Sequence, residues 1–341
     1  GRTWSSIYNQ PTGEFYHITT DNNLPFYNVL GTQQDNTAIS VPSDSVNGMI
    51  KNSDCKIVGS SESGHIVVDP SKQHCTYSGA LGSYHGTGPL MLKHDKISGE
   101  VDMVTVWPDV TGHTNKNRKY RFGWDQPIIF SNHHKNRLLT AANVIFESYN
   151  EGKSWTEISP DLTRNDPDFT DINSSGTTSI KPRNKWEAEP KNKIAPFERC
   201  YISALGESPI NKDILWAGTD DGTIQITKDN SKTWTNVTPK DLEPWTPVWN
   251  IEPSCHDSKT AYFSASRYQH GDNKPIVFKT NDNGLTWKKI INGIHNEDYA
   301  RCVREDPVDP DILYLGTENG IYLSVNAGEN WVNINSNLPY V

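Results

Sequence analysis

The chain has 341 residues, a formal net charge of −9, 34% hydrophobic residues, and 11 Trp, 14 Tyr and 9 Phe. This aromatic content argues against a disordered chain. No block of Lys or Arg forms a basic stripe, so nucleic-acid binding is not expected. No run of about 18 apolar residues occurs, so no membrane span is expected.

The chain consists of repeated units. Each unit begins with a strand, followed by a turn rich in Asp, Pro or Asn and a strand such as "ILYLG" (312–316). A Gly-containing loop, a strand such as "GIYLS" (320–324), a second turn and a strand that starts at Trp complete it. Six units are traceable, at residues 14–50, 55–104, 120–160, 198–240, 247–293 and 299–336. Four short strands repeating roughly every 50 residues predict an all-β fold, a β-propeller of four-stranded antiparallel blades.

The turn before the last strand has a recurrent sequence. It reads "SYNEGKSW" (148–155), "TKDNSKTW" (227–234), "TNDNGLTW" (280–287) and "SVNAGENW" (324–331). Its Asp or Asn can accept hydrogen bonds from the backbone of its own turn, and its Gly permits a backbone that a Cβ resists. We expect the Trp to anchor each blade to its neighbour. These residues are therefore predicted to be structural: Asn150, Trp155, Asp229, Trp234, Asp282, Trp287, Asn326 and Trp331.

The first four residues, "GRTW", match the second half of this turn. They predict an orphan outer strand at about residues 3–8, whose inner strands the chain lacks. We therefore expect one propeller domain over 1–341, of a seven-bladed type and present as an incomplete arc. The missing partner would be further blades, or a second propeller, of a longer parent chain. A polar insertion at 161–197 interrupts the repeat, and a segment this long is predicted to be a cap, a partner contact or an exposed insertion.

The four turns resemble Asp-box (BNR) repeats, which occur in sialidases, xyloglucanase-type glycoside hydrolases and sortilin/Vps10-like receptors. Over nearly its whole length the chain resembles large secreted bacterial propeller proteins that carry a glycosyl hydrolase label. Segments that carry this resemblance include "SSESGHIVVDP" (60–70), "YRFGWDQPIIFSNH" (120–133) and "VREDPVDPDILYLGTENGIYLS" (303–324). The resemblance implies a secreted, periplasmic or cell-surface location.

The resemblance does not carry a catalytic residue across. The Phe/Tyr-Arg-Ile-Pro motif of sialidases is absent, and "FERCYI" (197–202) does not match it. The catalytic aspartates of the xyloglucanase-type enzymes have no matching motif here. A shared fold alone does not establish an activity.

Propeller geometry places the strand 2–3 loops and the segments leading into strand 1 on the face opposite the box turns. This face combines aromatic residues with carboxylates, amides and arginines, a mixture that suits a sugar or a peptide. The ligand-binding candidates are Gln34, Asp35, Glu62, Trp124, Trp249, Arg267, Tyr268 and Arg304. The same face is expected to carry His17, His65, Arg301 and Glu318. The alternative is that Trp124 and Trp249 pack between blades and that Arg304 forms an ion pair.

Three functions remain open at this stage. The favoured one is binding of carbohydrate or peptide, and the second is a glycoside hydrolase of the Asp-box type. A hydrolase needs two carboxylates about 5–10 Å apart, for which Asp35, Glu62 and Asp125 are candidates. The third is a structural or protein-interaction propeller. No cofactor and no metal site is predicted. Of the five cysteines, Cys55 and Cys75 could bridge neighbouring strands, but five buried thiols are favoured.

Overall fold

The computed structural model describes residues 15–33, 36–46, 48–59, 64–80, 90–107, 119–123, 125–166 and 200–336. Regular structure in these residues is β-strand, apart from the 3-10 turns Asn52–Asp54 and Tyr268–His270. The strands form six sheets of four, and each sheet is an antiparallel meander of consecutive strands. None of the described residues belongs to a helix long and apolar enough to cross a bilayer.

The six sheets are the blades, numbered in chain order. Blade 1 contains β1 (Phe15–Thr20), β2 (Asn28–Gln33), β3 (Ala38–Pro42) and β4 (Lys56–Gly59). Blade 2 contains β5 (Ile66–Val68), β6 (Cys75–Ala80), β7 (Leu90–Asp95) and β8 (Val101–Met103). Blade 3 contains β9 (Ile128–Phe130), β10 (Leu138–Ala141), β11 (Ile145–Ser148) and β12 (Thr156–Glu157). Blade 4 contains β13 (Ile202–Glu207), β14 (Leu215–Thr219), β15 (Ile224–Thr227) and β16 (Thr235–Asn236). Blade 5 contains β17 (Val248–Pro253), β18 (Ala261–Arg267), β19 (Asp272–Thr280) and β20 (Lys288–Lys289). Blade 6 contains β21 (Ala300–Glu305), β22 (Leu313–Thr317), β23 (Gly320–Ser324) and β24 (Val332–Asn333).

The hydrophobic core lies between blades. Trp216 of blade 4 and Phe263 of blade 5 share one buried cluster, and Tyr262 of blade 5 and Leu315 of blade 6 share the next. Similar clusters join blades 3 and 4, 2 and 3, and 1 and 2. Each sheet thus buries apolar side chains against its neighbour, and the six blades form a ring. This confirms the predicted β-propeller. A seventh blade is not present among the described residues.

The boundary predicted between the first two units is wrong. Residues Lys56–Gly59 pair with β3 and form the outer strand of blade 1, whereas the sequence repeat assigned them to blade 2. The turn between β3 and β4 has lost the box sequence and its Trp, so local sequence gave no sign of where the outer strand resumes.

All five cysteines are free thiols. Cys75 and Cys200 are buried, Cys55 is half-buried, and Cys255 and Cys302 are exposed. The expectation of five buried thiols is therefore wrong for Cys55, Cys255 and Cys302. Cys55 and Cys75 lie in adjacent blades but do not form a disulfide.

The four recurrent turns, named box turns here, share one hydrogen-bond pattern. The Asp or Asn oxygen accepts the backbone N–H four residues later at 2.9 Å, in Asn150, Asp229, Asp282 and Asn326. Asp229 also accepts the Thr233 hydroxyl, and these two bonds hold the pKa of its carboxyl at about 2. The carboxylate is thus committed to its own turn.

The Trp of each box turn links its blade to the preceding one. Its indole N–H donates to a backbone carbonyl of the previous blade's outer edge. The pairs are Trp155 with Val104 at 3.0 Å, Trp234 with Ile158 at 3.4 Å, Trp287 with Val237 at 2.7 Å and Trp331 with Ile290 at 2.9 Å. This hydrogen bond gives each pair of neighbouring blades a fixed relative position in addition to apolar packing.

Ser231 occupies the position that is Gly in the other three box turns. Its φ is +66°, a left-handed conformation that costs a residue with a Cβ about 1–2 kcal/mol. Its hydroxyl is also buried without a hydrogen-bond partner. We therefore predict that Ser231→Gly raises the free energy of unfolding by about 1 kcal/mol. The substitution removes the backbone strain and the unpartnered hydroxyl, and together these outweigh the greater entropy that Gly gives the unfolded chain. Urea denaturation followed by circular dichroism measures this change. Gly284→Ser, the reverse change at φ +81°, should destabilise, and a stabilising effect there would contradict the argument.

The start of the predicted insertion lies against the ring. Arg121 donates to Asp161 at 2.6 Å, and the backbone N–H of Arg164 donates to the buried Asp221 at 2.8 Å. Residues 161–166 are therefore held between blades 3 and 4. The rest of the insertion, 167–197 with Trp186, lies outside the described residues.

Candidate functional site

The start of each innermost strand lies on the face opposite the box turns, which we call the loop face. Here four innermost strands carry a β-bulge within their first residues. The pairing register shifts between Phe15 and Ile18, between Ile202 and Ala204, between Val248 and Asn250, and between Ala300 and Cys302. A bulge re-aims the side chain of the extra residue. The residues it re-aims include His17, Trp249 and Arg301.

Four side chains near the ring axis are named the axial cluster: His17, His65 and Asp125 at the loop face, and Arg304 towards the other end of β21, whose charge acts on both imidazoles. They come from blades 1, 2, 3 and 6, which converge only around the central axis of a ring. The imidazoles of His17 and His65 stack with ring centroids 3.7 Å apart and an interplanar angle of 26°. The cluster therefore forms only when the blades are arranged around a common axis, and no single blade contains it.

Both imidazoles of the axial cluster have a lowered pKa. Although part of each ring reaches solvent, protein surrounds it on most sides, and this desolvation is the main cause. The positive charge of Arg304 lowers both pKa values further, while the carboxylate of Asp125 raises that of His17. At neutral pH both rings are therefore neutral, and they act as hydrogen-bonding groups.

Asp125 differs from a surface carboxylate. Burial raises its pKa, against the opposing influence of His17, the backbone N–H of Gly64 and Arg301. Its Oδ1 atom and the Nε2 atom of His65 are buried and have no hydrogen-bond partner in the described part of the chain. An unpartnered buried polar atom costs about 1–3 kcal/mol. Each such atom calls for an explanation, and a partner supplied by a bound molecule is one of them.

A second group on the loop face, the aromatic platform, consists of Trp249, Tyr268, Tyr299 and Arg301. The rings of Tyr268 and Tyr299 stack with centroids 4.8 Å apart at 11°, and Trp249 lies 6.3 Å from Tyr268. The guanidinium carbon of Arg301 lies 4.9 Å and 4.8 Å from the two tyrosine centroids. Glu318 holds the guanidinium at 3.0 Å. Tyr299 is buried, so the accessible aromatic surface of the platform belongs to the partly exposed Trp249 and Tyr268, beside the cation that Glu318 holds.

The structure brings only some of the predicted ligand residues together. Trp249 and Tyr268 join the platform, and Asp125 and Arg304 join the axial cluster. Arg267 lies beside the platform, where its guanidinium donates to the Pro244 carbonyl and the Thr246 hydroxyl at 3.0 Å each. It thus holds the loop leading into blade 5. Gln34, Asp35, Glu62 and Trp124 lie outside the described residues.

Arg304 forms an ion pair with Glu252 of blade 5 at 2.7 Å. It does not pair with Glu305, whose carboxylate accepts from Ser254, Cys255 and Tyr262. Sequence analysis did not single out Glu252 or Tyr299. Tyr299 directly precedes an innermost strand, as Tyr201 and Pro247 do. Comparing this position across the repeats could have identified Tyr299 from the sequence.

Two groups of side chains bring His, Cys and carboxylate atoms within 4.8 Å of one another in the described residues. They are His74, Cys75 and Asp95, and Cys255, His256 and Glu305. Both lie at strand 1–2 turns, on the box-turn face. In the second group both Glu305 oxygens accept protein hydrogen bonds, and His256 Nε2 bonds to the Asp306 carbonyl at 2.8 Å. The Glu305 oxygens and the His256 nitrogen that would bind a metal ion are thus occupied by protein contacts, so this group does not fit a metal.

No protein-family model matches the chain, and no curated protein matches its sequence. Its fold does match solved structures. The GH74 enzyme of Niastella koreensis aligns with a TM-score of 0.58 at 16% identity, covering 94% of this chain and 45% of that one. The GH74 xyloglucanase of Xanthomonas campestris aligns with a TM-score of 0.55 at 14% identity, covering 90% and 43%. YCF48 of Cyanidioschyzon merolae aligns with a TM-score of 0.53 at 10% identity, covering 94% and 84%.

At these identities the similarity shows the fold alone. The chain has the β-propeller fold found in GH74 enzymes and in YCF48. It spans less than half the length of the two GH74 enzymes. Which of the three open functions it has must therefore be argued from its own side chains.

Proposed function

We propose that the chain is a ligand-binding propeller that binds carbohydrate on its loop face. The observation that supports this most is the aromatic platform, with the cation of Arg301 and the carboxylate of Glu318 at its edge. Flat aromatic surface beside fixed polar groups is the usual composition of a small-molecule site. A sugar ring would stack its apolar face on Tyr268 or Trp249, and its hydroxyls would meet Glu318 and Arg301.

The axial cluster would extend this site towards the centre of the ring. The neutral imidazole of His65 and the carboxyl of Asp125 each present an atom without a protein partner. Both can exchange hydrogen bonds with hydroxyl groups, which donate and accept. A peptide ligand is compatible with the same groups. Binding of a peptide with apolar side chains, in place of glycans, is therefore the alternative outcome of the binding experiments. A secreted, periplasmic or cell-surface location remains part of the proposal.

We predict that Tyr268→Ala weakens glycan binding about tenfold, equivalent to 1.4 kcal/mol, because the stacking surface is lost. Glycan-array screening would identify a binding saccharide, and titration calorimetry would compare the variants. The matched control is Tyr149→Ala, since Tyr149 is 56% exposed and lies in a box turn on the opposite face. Equal loss in both variants, or no loss in Tyr268→Ala, would contradict the assignment of the site to the loop face.

A glycoside hydrolase is the second candidate, and Asp125 is the observation that favours it. A raised pKa and an unpartnered oxygen are what a general acid requires. Burial also raises the pKa of Glu252, the ion-pair partner of Arg304 beside this cluster. Hydrolysis of β-glucans that disappears in Asp125→Asn would replace the binding proposal by this one. If neither glycan binding nor turnover is found, both sugar-directed functions fail and the protein-interaction propeller remains.

A further inference from the structure

Three side chains that can bind a metal ion lie at the box-turn end of blade 2, away from the loop face. His74, Cys75 and Asp95 bring an imidazole nitrogen, a sulfur and a carboxylate oxygen within 4.8 Å of one another. Cys75 and Asp95 are directly opposed on β6 and β7, and His74 immediately precedes β6. Directly opposed residues present their side chains on the same face of a sheet. The sheet therefore holds the sulfur beside the carboxylate, and the turn adds the imidazole.

The three ligand atoms are not engaged by the rest of the described chain. The Oδ1 atom of Asp95 accepts the backbone N–H groups of Ile97 and Ser98 at 2.8 Å and 3.2 Å. Its Oδ2 atom faces the Nε2 atom of His74 at 3.8 Å, a distance too long for a hydrogen bond. Within the described residues, neither the thiol of Cys75 nor the imidazole of His74 forms a hydrogen bond. This distinguishes the group from the second His, Cys and carboxylate group, whose atoms are occupied.

Blade 5 shows what the same positions do elsewhere in the ring. The pairing register makes Thr260 equivalent to Cys75, and Asn281 equivalent to Asp95. In both blades the carbonyl of the first residue of this pair accepts the backbone N–H that opens the strand 1–2 turn. The Thr260 hydroxyl donates to Asn281 Oδ1 at 3.1 Å and so ties the strand 1–2 turn to the box turn. Blade 2 lacks this hydrogen bond and has a thiol and a carboxylate in its place.

The charges around the group do not oppose a cation. Those that act on the Cys75 thiol belong to two lysines, Lys72 and Lys93, and to two aspartates. Glu151 of blade 3 forms ion pairs with both lysines, at 2.5 Å from Lys93. Three carboxylates thus stand against two ammonium groups. A cation that enters here meets no excess of positive charge.

We propose that His74, Cys75 and Asp95 bind a zinc ion, which ties the two turns at the box-turn end of blade 2. Zn²⁺ takes thiolate, imidazole and carboxylate ligands, and three protein ligands leave a fourth position for water. Ligand atoms about 2.0–2.3 Å from a tetrahedral zinc ion lie about 3.5 Å apart, close to the 3.8 Å between His74 and Asp95. Their side chains are 38% and 26% exposed, so the ion reaches them from solvent. Cys75 binds as thiolate, and its proton passes to solvent as the Zn–S bond forms.

Cobalt titration tests the proposal, and it does not depend on the ligand of the loop face. Co²⁺ accepts the ligands that zinc accepts, and a thiolate-to-cobalt charge-transfer band arises only when a Cys is one of them. The untagged chain, freed of metal by dialysis against a chelator, should bind one Co²⁺ with this band. Zn²⁺ should displace the cobalt and abolish the band. Absence of the band at Co²⁺ concentrations up to about 1 mM would overturn the proposal.

Cys75→Ala should abolish the charge-transfer band, because it removes the only thiolate of the site. The matched control is Cys255→Ala, since Cys255 belongs to the second His, Cys and carboxylate group on the same face. This control should leave the band unchanged. A band that survives in Cys75→Ala, or that disappears in Cys255→Ala, would place the metal elsewhere and overturn the proposal.

His74→Ala provides an independent test if Cys75→Ala does not fold. His74 lies in a turn, and its backbone carbonyl, which accepts from Lys96 at 2.9 Å, is retained in the variant. The melting temperature without metal should therefore stay the same. Loss of an outer partner of a ligand weakens metal binding about 10–100-fold, so loss of the ligand itself should weaken zinc binding at least about tenfold. Equal zinc affinity in the two proteins, or an equal rise in melting temperature on adding Zn²⁺, would overturn the three-ligand site.

Discussion

Replacing Trp287 by alanine is expected to lower the free energy of unfolding by about 3–5 kcal/mol, the usual cost of truncating a packed Trp. Its ring lies 5.0 Å from that of Phe263 and 5.9 Å from that of Trp216. Its indole N–H donates to the Val237 carbonyl at 2.7 Å. The substitution removes apolar contacts in two blades and leaves a carbonyl without its donor. Urea denaturation followed by far-ultraviolet circular dichroism measures the loss.

Trp287→Phe separates the two contributions. It keeps an aromatic ring in the cluster but removes the N–H donor and part of the packed surface, so we expect a smaller loss than in Trp287→Ala, about 1–2 kcal/mol. A Trp287→Ala variant within about 1 kcal/mol of the parent protein would show that neighbouring blades do not depend on this contact. Loss of equal size in the Phe and Ala variants would show that the phenyl ring contributes nothing and that the indole N–H and the outer part of the indole carry the effect.

Replacing Glu207 by alanine is expected to cost about 3–5 kcal/mol, because it breaks a buried charge network. The Glu207 side chain is 1% exposed and that of Arg137 is 6% exposed, with 3.1 Å between their charged atoms. Glu207 also accepts from the Ser131 hydroxyl and from the Asn132 backbone. Its removal leaves three donors of blade 3 without this acceptor. Thermal and urea unfolding of the variant measure the effect.

The matched control is Glu329→Ala. Glu329 forms an ion pair with Lys288, but their side chains are 59% and 60% exposed. Solvent screens such a pair. The Glu329→Ala variant should therefore have the same free energy of unfolding as the parent protein in the same experiment. Equal losses of stability in the Glu207 and Glu329 variants would contradict the argument. They would show that burial does not strengthen the contacts of Glu207 with blade 3.

The turn after strand β9 shows how far sequence reasoning reached. His133 lies in this strand 1–2 turn, and its Nε2 atom bonds to the Ser208 carbonyl of blade 4 at 2.8 Å. Residues 254–256 repeat the arrangement, with His256 bonded to Asp306 of blade 6. The sequence shows the Ser-x-His spacing in both turns. It does not show which carbonyl the His bonds to, because that carbonyl lies on another blade.

The first blade shows a second limit. Where a box turn is intact, the outer strand begins directly after Trp, as at Thr156 and Thr235. Blade 1 has no box sequence before Lys56, and the predicted boundary there was wrong. Strand identity at such a position depends on pairing with β3, a contact that no local pattern encodes.

The sequence by itself determined the repeat, the propeller fold and the chemistry of the box turns. These depend on interactions within a few residues, such as the Asp229 carboxylate with the N–H of Thr233, and they recur along the chain. The tertiary structure decided which side chains meet at the axis and which faces stay open. His17, His65, Asp125 and Arg304 lie far apart in sequence, and bulges that single-strand patterns do not reveal re-aim His17, Trp249 and Arg301. Only closure of the blades around an axis brings such residues into one site, and only the packing of whole sheets leaves Ile18 and Ile334 uncovered.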